Sequence, residues 1–229
     1  MHPEVAQKIL EETERQYDRI AVDFSETRAG LWADFESIKP LVPSGGSLLD
    51  IGCGNGRLYE LFRGADIRYT GVDASEQMVV IARGRWRDSG ATFIKASALN
   101  LPFPDNSFNT VVLAAVLHHI PGKDLQIQAL REAARVLAPG GHIFLTVWNL
   151  FQSRYLWYIL KNNFSRLIGQ NPLDWNDARI PWKRGVWVAR YCHAFSFFEL
   201  SSLSRKAGVR VQSISHGDKR RNIILIAGK

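Results

Sequence analysis

Three glycines follow a short apolar run and are spaced like a loop that could hold the charged end of a small molecule: residues 50–57 read DIGCGNGR. Gly52, Gly54 and Gly56 allow a ligand to approach the backbone closely and tolerate positive φ, and the start of the next helix offers free N–H groups to an anion. Arg57 stands where the dinucleotide fingerprint would continue, and no Gly-Lys-Ser/Thr follows. The loop therefore predicts a ligand site but argues against a nicotinamide fold or a P-loop.

Asp73 is a second candidate, because it closes the next predicted strand after Asp50. A carboxylate at the tip of that strand can hold both hydroxyls of a ribose, and no basic neighbour favours a 2′-phosphate. The alternative role for Asp73 is to cap the helix that begins near Glu76. Taken with the glycine loop, Asp73 favours an unphosphorylated nucleoside with a charged tail as the ligand.

These residues need a scaffold that brings them to one edge, and the apolar periodicity predicts alternating strands and helices. Predicted helices are 5–20, 32–41, 58–62, 76–88, 124–137 and 197–207; predicted strands are 47–51, 68–72, 91–95, 110–115, 142–147, 210–215 and 222–227. Strands separated by helices imply a parallel α/β sheet in three layers. The last two strands are joined too closely for a crossover helix, so we expect them to be antiparallel neighbours.

Length and composition indicate one folded domain, since the 229 residues are 46% hydrophobic and 22% charged. We expect a single unit over 1–229, made of N-terminal helices (1–45), a ligand-binding core (46–148), an insertion (149–195) and a last helix with a strand pair (196–229). No apolar run predicts a membrane span and the N-terminus does not resemble a signal peptide, so we expect a cytoplasmic protein without a membrane partner. Cys53 and Cys192 are far apart, which predicts no disulfide framework and no metal.

The positive charge is concentrated in the C-terminal third of the chain. Residues 149–229 hold 14 Lys and Arg against 4 Asp and Glu, whereas residues 1–148 hold 15 against 18. Such a balance favours a polyanionic partner, with solubility as the alternative explanation. The regular alternation lapses after Trp148, and the insertion with Trp148 holds five of the seven tryptophans. We expect this insertion to cover the carboxyl edge of the sheet, where ligands bind in such folds.

The order of four motifs resembles class I S-adenosylmethionine-dependent methyltransferases: DxGxGxG at 50–56, Asp73, LPFPDNSF at 101–108 and VLxPGG at 136–141. The resemblance implies a Rossmann-like three-layer sandwich with a seven-stranded, mostly parallel sheet and an antiparallel last strand. It implies S-adenosylmethionine as the cofactor, with the glycines against its methionine part, Asp73 on the ribose and Ser97 with Ala98 at the adenine. The family usually has an acidic residue in place of Ser97. The cofactor-binding residues implied are Tyr17, Arg28, Asp50, Gly52, Gly54, Gly56, Asp73, Ala74, Ser97, Ala98 and Ala115.

A second resemblance concerns the methyl acceptor. The segments RIPW at 179–182 and RYCHAF at 190–195, together with His118 and His119, are similar to tRNA methyltransferases that esterify the carboxymethyl group of wobble uridines. That family includes a methyltransferase domain fused to an AlkB-like oxygenase, and Cys192 stands where it commonly has an aromatic residue. The resemblance implies tRNA as a partner and a possible small zinc-binding activator protein.

A carboxylate acceptor is already nucleophilic at neutral pH, so it needs a cation to position it rather than a general base. Arg190 or Arg28 could supply that cation. Tyr191, Trp182 and Trp187 could stack on a base, although packing of the insertion is the alternative role for each. The residues predicted to position the substrate are Arg190, Tyr191, His193 and His118.

Two other functions stay open at this point. A small-molecule methyltransferase with an apolar or carboxylate acceptor would use the insertion as an apolar lid, but it would not need the basic C-terminal third. A non-catalytic cofactor-binding subunit would tolerate Ser97, but it would have no need of the intact glycines and Asp73.

Overall fold

A seven-stranded sheet forms the centre of the protein in a computed structural model that describes residues 1–28 and 30–229. Its strands are β1 (Ser47–Ile51), β2 (Arg68–Asp73), β3 (Thr92–Lys95), β4 (Phe108–Ala114), β5 (Leu137–Trp148), β8 (Arg210–His216) and β9 (Asn222–Gly228). The spatial order is β3-β2-β1-β4-β5-β9-β8. Strands β1 to β5 pair in parallel, and β9 runs antiparallel to both β5 and β8. The predicted sheet with its reversed last strand is confirmed.

Helices cover both faces of the sheet. They are α1 (Pro3–Glu26), α2 (Glu76–Arg85), α3 (Lys123–Val136), α4 (Ser153–Leu167) and α5 (Phe197–Lys206), with 3-10 helices at Ala33–Leu41, Arg57–Phe62, Leu117–His119 and Asp218–Arg220. Alternate residues of one strand enter opposite cores: Leu49 packs in a layer with α3 and α5, and Leu48 packs in a layer with α2. This alternation is expected of a strand buried on both faces, and it confirms the three-layer sandwich.

The insertion contains regular elements that the sequence did not indicate. Helix α4 is followed by a hairpin of β6 (Asp177–Trp182) and β7 (Val188–His193), which form a separate two-stranded sheet. Large apolar residues of α4 are exposed: Trp157 and Phe164 are 69% and 63% exposed, while Ile159 is buried. The hairpin is tied to α1 by Arg179, whose Nη1 lies 2.9 Å from Glu12 Oε1. Among the described residues, no helix is both long enough and apolar enough to cross a membrane.

Candidate active site

A cavity opens where β1, β2, β3 and β4 end, beneath helix α1, and we call it the cofactor cavity. Parallel strands bring their carboxyl ends to one edge, so residues distant in sequence meet there. Ten of the eleven residues predicted to bind the cofactor line it: Tyr17, Arg28, Asp50, Gly52, Gly54, Asp73, Ala74, Ser97, Ala98 and Ala115. Their role in cofactor binding remains a prediction. Gly56 is the eleventh residue, and it does not line the cavity.

The three glycines of the loop have different surroundings. Gly54 has φ +55°, and a Cβ added there would meet no atom within 4 Å, so its backbone is open to a ligand. Gly52 has φ +70°, and an added Cβ would overlap the side chain of Val116. Gly56 turns away from the cavity, because its Cβ would lie 2.8 Å from Phe93 and 2.9 Å from Trp86. Gly56 therefore allows the loop to pack on two aromatic rings, and its predicted contact with the cofactor stays a prediction.

Asp73 is held by the backbone around it. Its Oδ1 accepts from Ser75 N at 2.9 Å and its Oδ2 accepts from Gly54 N at 2.8 Å. Each carboxylate oxygen keeps a further lone pair for a ligand hydroxyl. Burial raises the pKa of Asp73 to about 6, although the two N–H groups oppose the shift. The alternative role as a helix cap is not seen, because Ser75 caps α2 by accepting from Met78 N.

Asp50 provides an acceptor that lacks a partner. Its Oδ2 accepts from the Tyr69 hydroxyl at 2.6 Å, while Oδ1 is buried without a hydrogen bond. Burial raises the pKa of this carboxyl to about 7. A cationic ligand group beside Oδ1 would stabilise the ionised form. The donor set thus fits S-adenosylmethionine: a lone carboxylate oxygen for a cation, an open glycine backbone and a second carboxylate for the ribose.

The predicted adenine edge lies at the side of the cavity. Ser97 is exposed, and its Oγ accepts from Leu99 N at 3.2 Å. Across the cavity, Ala115 has φ +61°, a conformation that L residues rarely adopt. The Ala115 N–H is held by Thr146, with 3.0 Å to the carbonyl oxygen and 3.1 Å to Oγ1. This conformation brings the Ala115 backbone to the cavity wall.

His119, and not His118, reaches the cofactor cavity. The Nδ1 of His119 lies 2.8 Å from the Tyr191 carbonyl oxygen, and its Nε2 lies 2.8 Å from the Tyr17 hydroxyl. Because a carbonyl only accepts, Nδ1 carries the proton and Nε2 accepts from Tyr17. Burial lowers the pKa of His119 to about 3, so the ring is neutral. His119 therefore fixes the orientation of the Tyr17 hydroxyl at the cavity.

His118 is fully buried, and its ring lies 4.2 Å from that of His119, measured between ring centroids. Both of its ring nitrogens lack a hydrogen-bond partner, and its ring lies 4.8 Å from that of Trp148. Burial lowers its pKa well below the usual value for histidine. His118 does not line the cofactor cavity. In this structure His118 packs against Trp148, and its role in substrate positioning stays a prediction.

A second cavity adjoins the first, and we call it the arginine cavity because Arg28, Arg154, Arg190 and Arg221 line it. Arg190 is only 5% exposed, and its Nε and Nη1 have no hydrogen-bond partner. Its guanidinium lies 5.1 Å from the ring of Trp148. Neither Arg28 nor Arg190 forms an ion pair within residues 1–28 and 30–229.

The charges of this cavity affect the neighbouring groups. Burial, followed by the charge of Arg190, lowers the pKa of Arg28. Burial raises the pKa of Tyr17 against the opposing charge of Arg190. The Arg28 and Arg190 guanidinium groups thus line one cavity, and neither forms an ion pair with a carboxylate of the described residues. Such an arrangement is unfavourable until an anion enters, so it indicates an anion site.

Tyr191 and His193 lie in neither cavity. The Tyr191 hydroxyl donates to Asp177 Oδ1 at 2.8 Å, and His193 Nδ1 lies 2.6 Å from the same oxygen. His193 Nε2 lies 3.2 Å from Glu199 Oε2. Burial would lower the pKa of His193, but these two partners outweigh it and raise the pKa to about 9. His193 thus joins the hairpin to α5, and Tyr191 ties the two strands of the hairpin together; their roles in substrate positioning stay a prediction.

The tryptophans of the insertion also differ in position. Trp182 is buried beside Ile20 and lies 5.3 Å from the Arg190 guanidinium, whereas Trp187 is 65% exposed. Trp182 therefore packs against the guanidinium of Arg190, and stacking of a base on either tryptophan stays a prediction.

His118, His119 and Cys192 place possible metal-ligand atoms within 4.8 Å of one another. Both nitrogens of His119 are already engaged, and burial raises the pKa of the Cys192 thiol to about 12. The nearby charge of Arg190 would also repel a metal cation. Hydrogen bonding and packing explain this cluster, and we assign no metal to it.

Comparison with known proteins matches residues 49–145 to the methyltransferase domain family. An Arabidopsis thaliana protein named tRNA (carboxymethyluridine(34)-5-O)-methyltransferase is 34% identical over 64% of this chain and 34% of its own length. A Schizosaccharomyces pombe protein of the same name is 29% identical over 93% of this chain and 94% of its own length. The chain thus spans about a third of the first relative and nearly all of the second.

Solved structures share the fold at lower identity. A methyltransferase from Methanosarcina mazei has a TM-score of 0.72 at 22% identity, covering 87% of this chain and 98% of that one. The complex between the Haloferax volcanii Trm112 methyltransferase activator and a methyltransferase gives 0.64 at 19% identity, covering 93% and 96%. These structures show the fold alone, whereas the family match and the names of the relatives support an S-adenosylmethionine-dependent methyltransferase. Residues 49–145 of the chain belong to the methyltransferase domain family.

Proposed function

We propose that this enzyme methylates a carboxylate, and that the acceptor is the carboxymethyl group of the wobble uridine of a tRNA. The observation that carries the proposal is the buried guanidinium of Arg190, which has two nitrogens without partners and lies near Arg28. An arginine can bind a carboxylate through two parallel hydrogen bonds. The names of the two relatives, at 34% and 29% identity, support the same acceptor.

The residues of the chain would act by position rather than by acid or base chemistry. Arg190 and Arg28 would hold the acceptor carboxylate, which needs no general base. Tyr17, oriented by His119, lies at the cofactor cavity, and Arg28 and Trp148 line both cavities. When bound, S-adenosylmethionine supplies a methyl group on a positively charged sulfur. Alignment of two reactants can lower the activation free energy by up to about 7–11 kcal/mol.

Positive charge supports an RNA partner. Arg154 and Arg221 line the arginine cavity, and Lys183 and Arg184 lie in the turn between β6 and β7. Lysine and arginine contacts to phosphates supply most of the sequence-independent affinity for nucleic acids. A cytoplasmic location and a small zinc-binding activator protein are parts of the same proposal. The activator is suggested by the Haloferax complex, whose methyltransferase shares this fold.

The test is methylation of a tRNA that carries the free carboxymethyl group. Purified enzyme and labelled S-adenosylmethionine are incubated with that tRNA, which is then digested and analysed by nucleoside mass spectrometry. We expect label in a methyl ester of the carboxymethyluridine. Methylation of small carboxylates with no methylation of tRNA, in the presence of a Trm112-type activator, would support the small-molecule alternative instead.

Variants connect the result to the site. Arg190→Gln is expected to lower turnover far more than tRNA affinity, because phosphate contacts elsewhere still hold the RNA while the carboxylate loses its alignment. Arg210→Gln is the matched control, because Arg210 is exposed on β8 at the edge of the sheet. Equal effects of the two substitutions would contradict the role of Arg190.

A further inference from the structure

Two aromatic rings face the arginine cavity in a nearly parallel arrangement. Trp148, at the end of β5, and Tyr155, in the first turn of α4, both line that cavity. The planes of their rings differ by 12°, and the ring centroids are 6.5 Å apart. Carbon atoms in contact are separated by about 3.5 Å, so a planar ring stacked on both sides needs about 7 Å. The centroid distance is the upper limit of the gap between the two planes and is about 0.5 Å below that value, so the two rings move apart slightly when a third ring enters.

Cations flank the two rings. The guanidinium of Arg190 lies 5.1 Å from the Trp148 ring, and that of Arg154 lies 4.6 Å from the Tyr155 ring. Arg190 is buried with unpaired nitrogens, whereas Arg154 is exposed. An anionic group in the interior would therefore meet Arg190, and one at the surface would meet Arg154.

The acidic residues of the cavity do not cancel this charge. Asp34 lines it, but its Oδ1 accepts from Asp218 N at 2.6 Å and its Oδ2 accepts from Asn222 Nδ2 at 2.7 Å. Asp34 thus holds the connection between β8 and β9. Asp218 also lines the cavity, where it faces four arginines.

We propose that Trp148 and Tyr155 clamp the planar ring of the acceptor, so that the enzyme selects a flat ring carrying a short carboxylate arm. This inference rests on the proposed function, and it assigns to Tyr155 a role in determining which acceptor the enzyme selects. The ring stacks between the two aromatic side chains, its carboxylate reaches Arg190, and the phosphate beside it meets Arg154. Tyr155 contributes through its ring face and not through its hydroxyl.

The test compares three variants. Tyr155→Leu removes the ring, and Tyr155→Phe keeps it. Tyr158→Leu is the matched control, because Tyr158 is also a partly buried tyrosine of α4 packed against the same apolar cluster, and it lies in neither cavity. Loss of one base-stacking contact weakens binding by about 5- to 150-fold. We expect Tyr155→Leu to raise KM for a carboxymethyluridine-containing anticodon stem-loop by such a factor, with Tyr155→Phe close to the wild type.

Affinity for S-adenosylmethionine, measured by calorimetry, should be unchanged in all three variants. A purely structural role of Tyr155 would lower thermal stability and affect cofactor binding equally. The proposal is overturned if Tyr155→Leu raises KM no more than Tyr158→Leu does, or if Tyr155→Phe loses as much as Tyr155→Leu.

Direct binding of the nucleoside 5-carboxymethyluridine separates the clamp from the proposed function. If no tRNA is methylated but the nucleoside binds in a manner that depends on Tyr155, the clamp is supported and the tRNA substrate is rejected. If tRNA is methylated and Tyr155→Leu changes neither KM nor nucleoside binding, the clamp alone is rejected.

Discussion

Replacement of Asp50 by asparagine should strengthen the fold of the free enzyme while weakening its cofactor site. The folded-state pKa of Asp50 is about 7, which is above the usual value of about 3.9 for an unfolded chain. The stability that this carboxyl contributes is therefore fully present below pH 4 and is lost as the pH rises through 7. The loss is on the order of 4 kcal/mol, since one pKa unit corresponds to about 1.4 kcal/mol.

Asparagine is neutral at every pH, so Asp50→Asn avoids this loss at pH 8. Its amide would replace the partnerless Oδ1 with an unpaired N–H₂ group, at a cost of about 1–3 kcal/mol. We therefore expect the free energy of unfolding of the ligand-free variant at pH 8 to exceed that of the wild type by about 1–3 kcal/mol. Chemical denaturation at pH 8 measures this difference.

Binding should change in the opposite direction. Wild-type affinity for S-adenosylmethionine should rise about tenfold per pH unit up to pH 7 on account of Asp50, and then level off. The Asp50→Asn variant should bind more weakly at pH 8 and should lack the step at pH 7. The step near pH 6 that belongs to Asp73 should remain. Calorimetry between pH 5 and 8 decides the matter, and a less stable variant with an unchanged pH profile would refute the reasoning.

Four further predictions concern other elements. The stability that His193 contributes is fully present below pH 6.5 and is lost as the pH rises through about 9. Denaturation should therefore show that His193→Gln lowers the free energy of unfolding by at most about 3 kcal/mol at pH 6, and that the difference from the wild type disappears toward pH 10. Gly52→Ala should lower thermal stability, and adding Val116→Ala should restore the packing but not the 1–2 kcal/mol of backbone strain. Ser97→Asp should bind S-adenosylmethionine equally or more tightly by calorimetry, and a large loss would mean that the adenine lies elsewhere. Arg221→Gln should weaken tRNA binding without changing the choice among tRNAs and should reduce the salt slope by about 1.

The order of strands and helices could be predicted from the sequence because its causes are local. The apolar run of β1, the glycines after it and the carboxylate of Asp73 at the end of β2 all lie within one β-α-β stretch, where chain distance limits spatial distance. The reversed strand β9 was also predictable, because its short connection to β8 permits only an antiparallel pair.

The insertion was harder to predict because its elements are stabilised by contacts with distant segments. Helix α4 has a helical stripe of apolar residues, but members of that stripe such as Leu156, Leu160 and Leu167 are exposed instead of packed on the sheet. The hairpin is held by α1 and by the turn at His119, which lie far away in the sequence. Tyr155 was therefore missed as a candidate, although its residue type suits ring stacking.

The sequence by itself determined the cofactor half of this enzyme, because a glycine loop and a strand-end carboxylate specify backbone geometry within a short stretch of chain. Only the tertiary structure decided the acceptor half. The rings of His118 and His119 are in contact and both are buried, yet only His119 lines the cofactor cavity. The Tyr191 hydroxyl and the His193 ring both bond to Asp177, so neither group is free. The Nε and Nη1 atoms of Arg190 have no such partner. Arg190 was a candidate from the sequence, but only the tertiary structure shows that it is buried with two nitrogens that lack a partner.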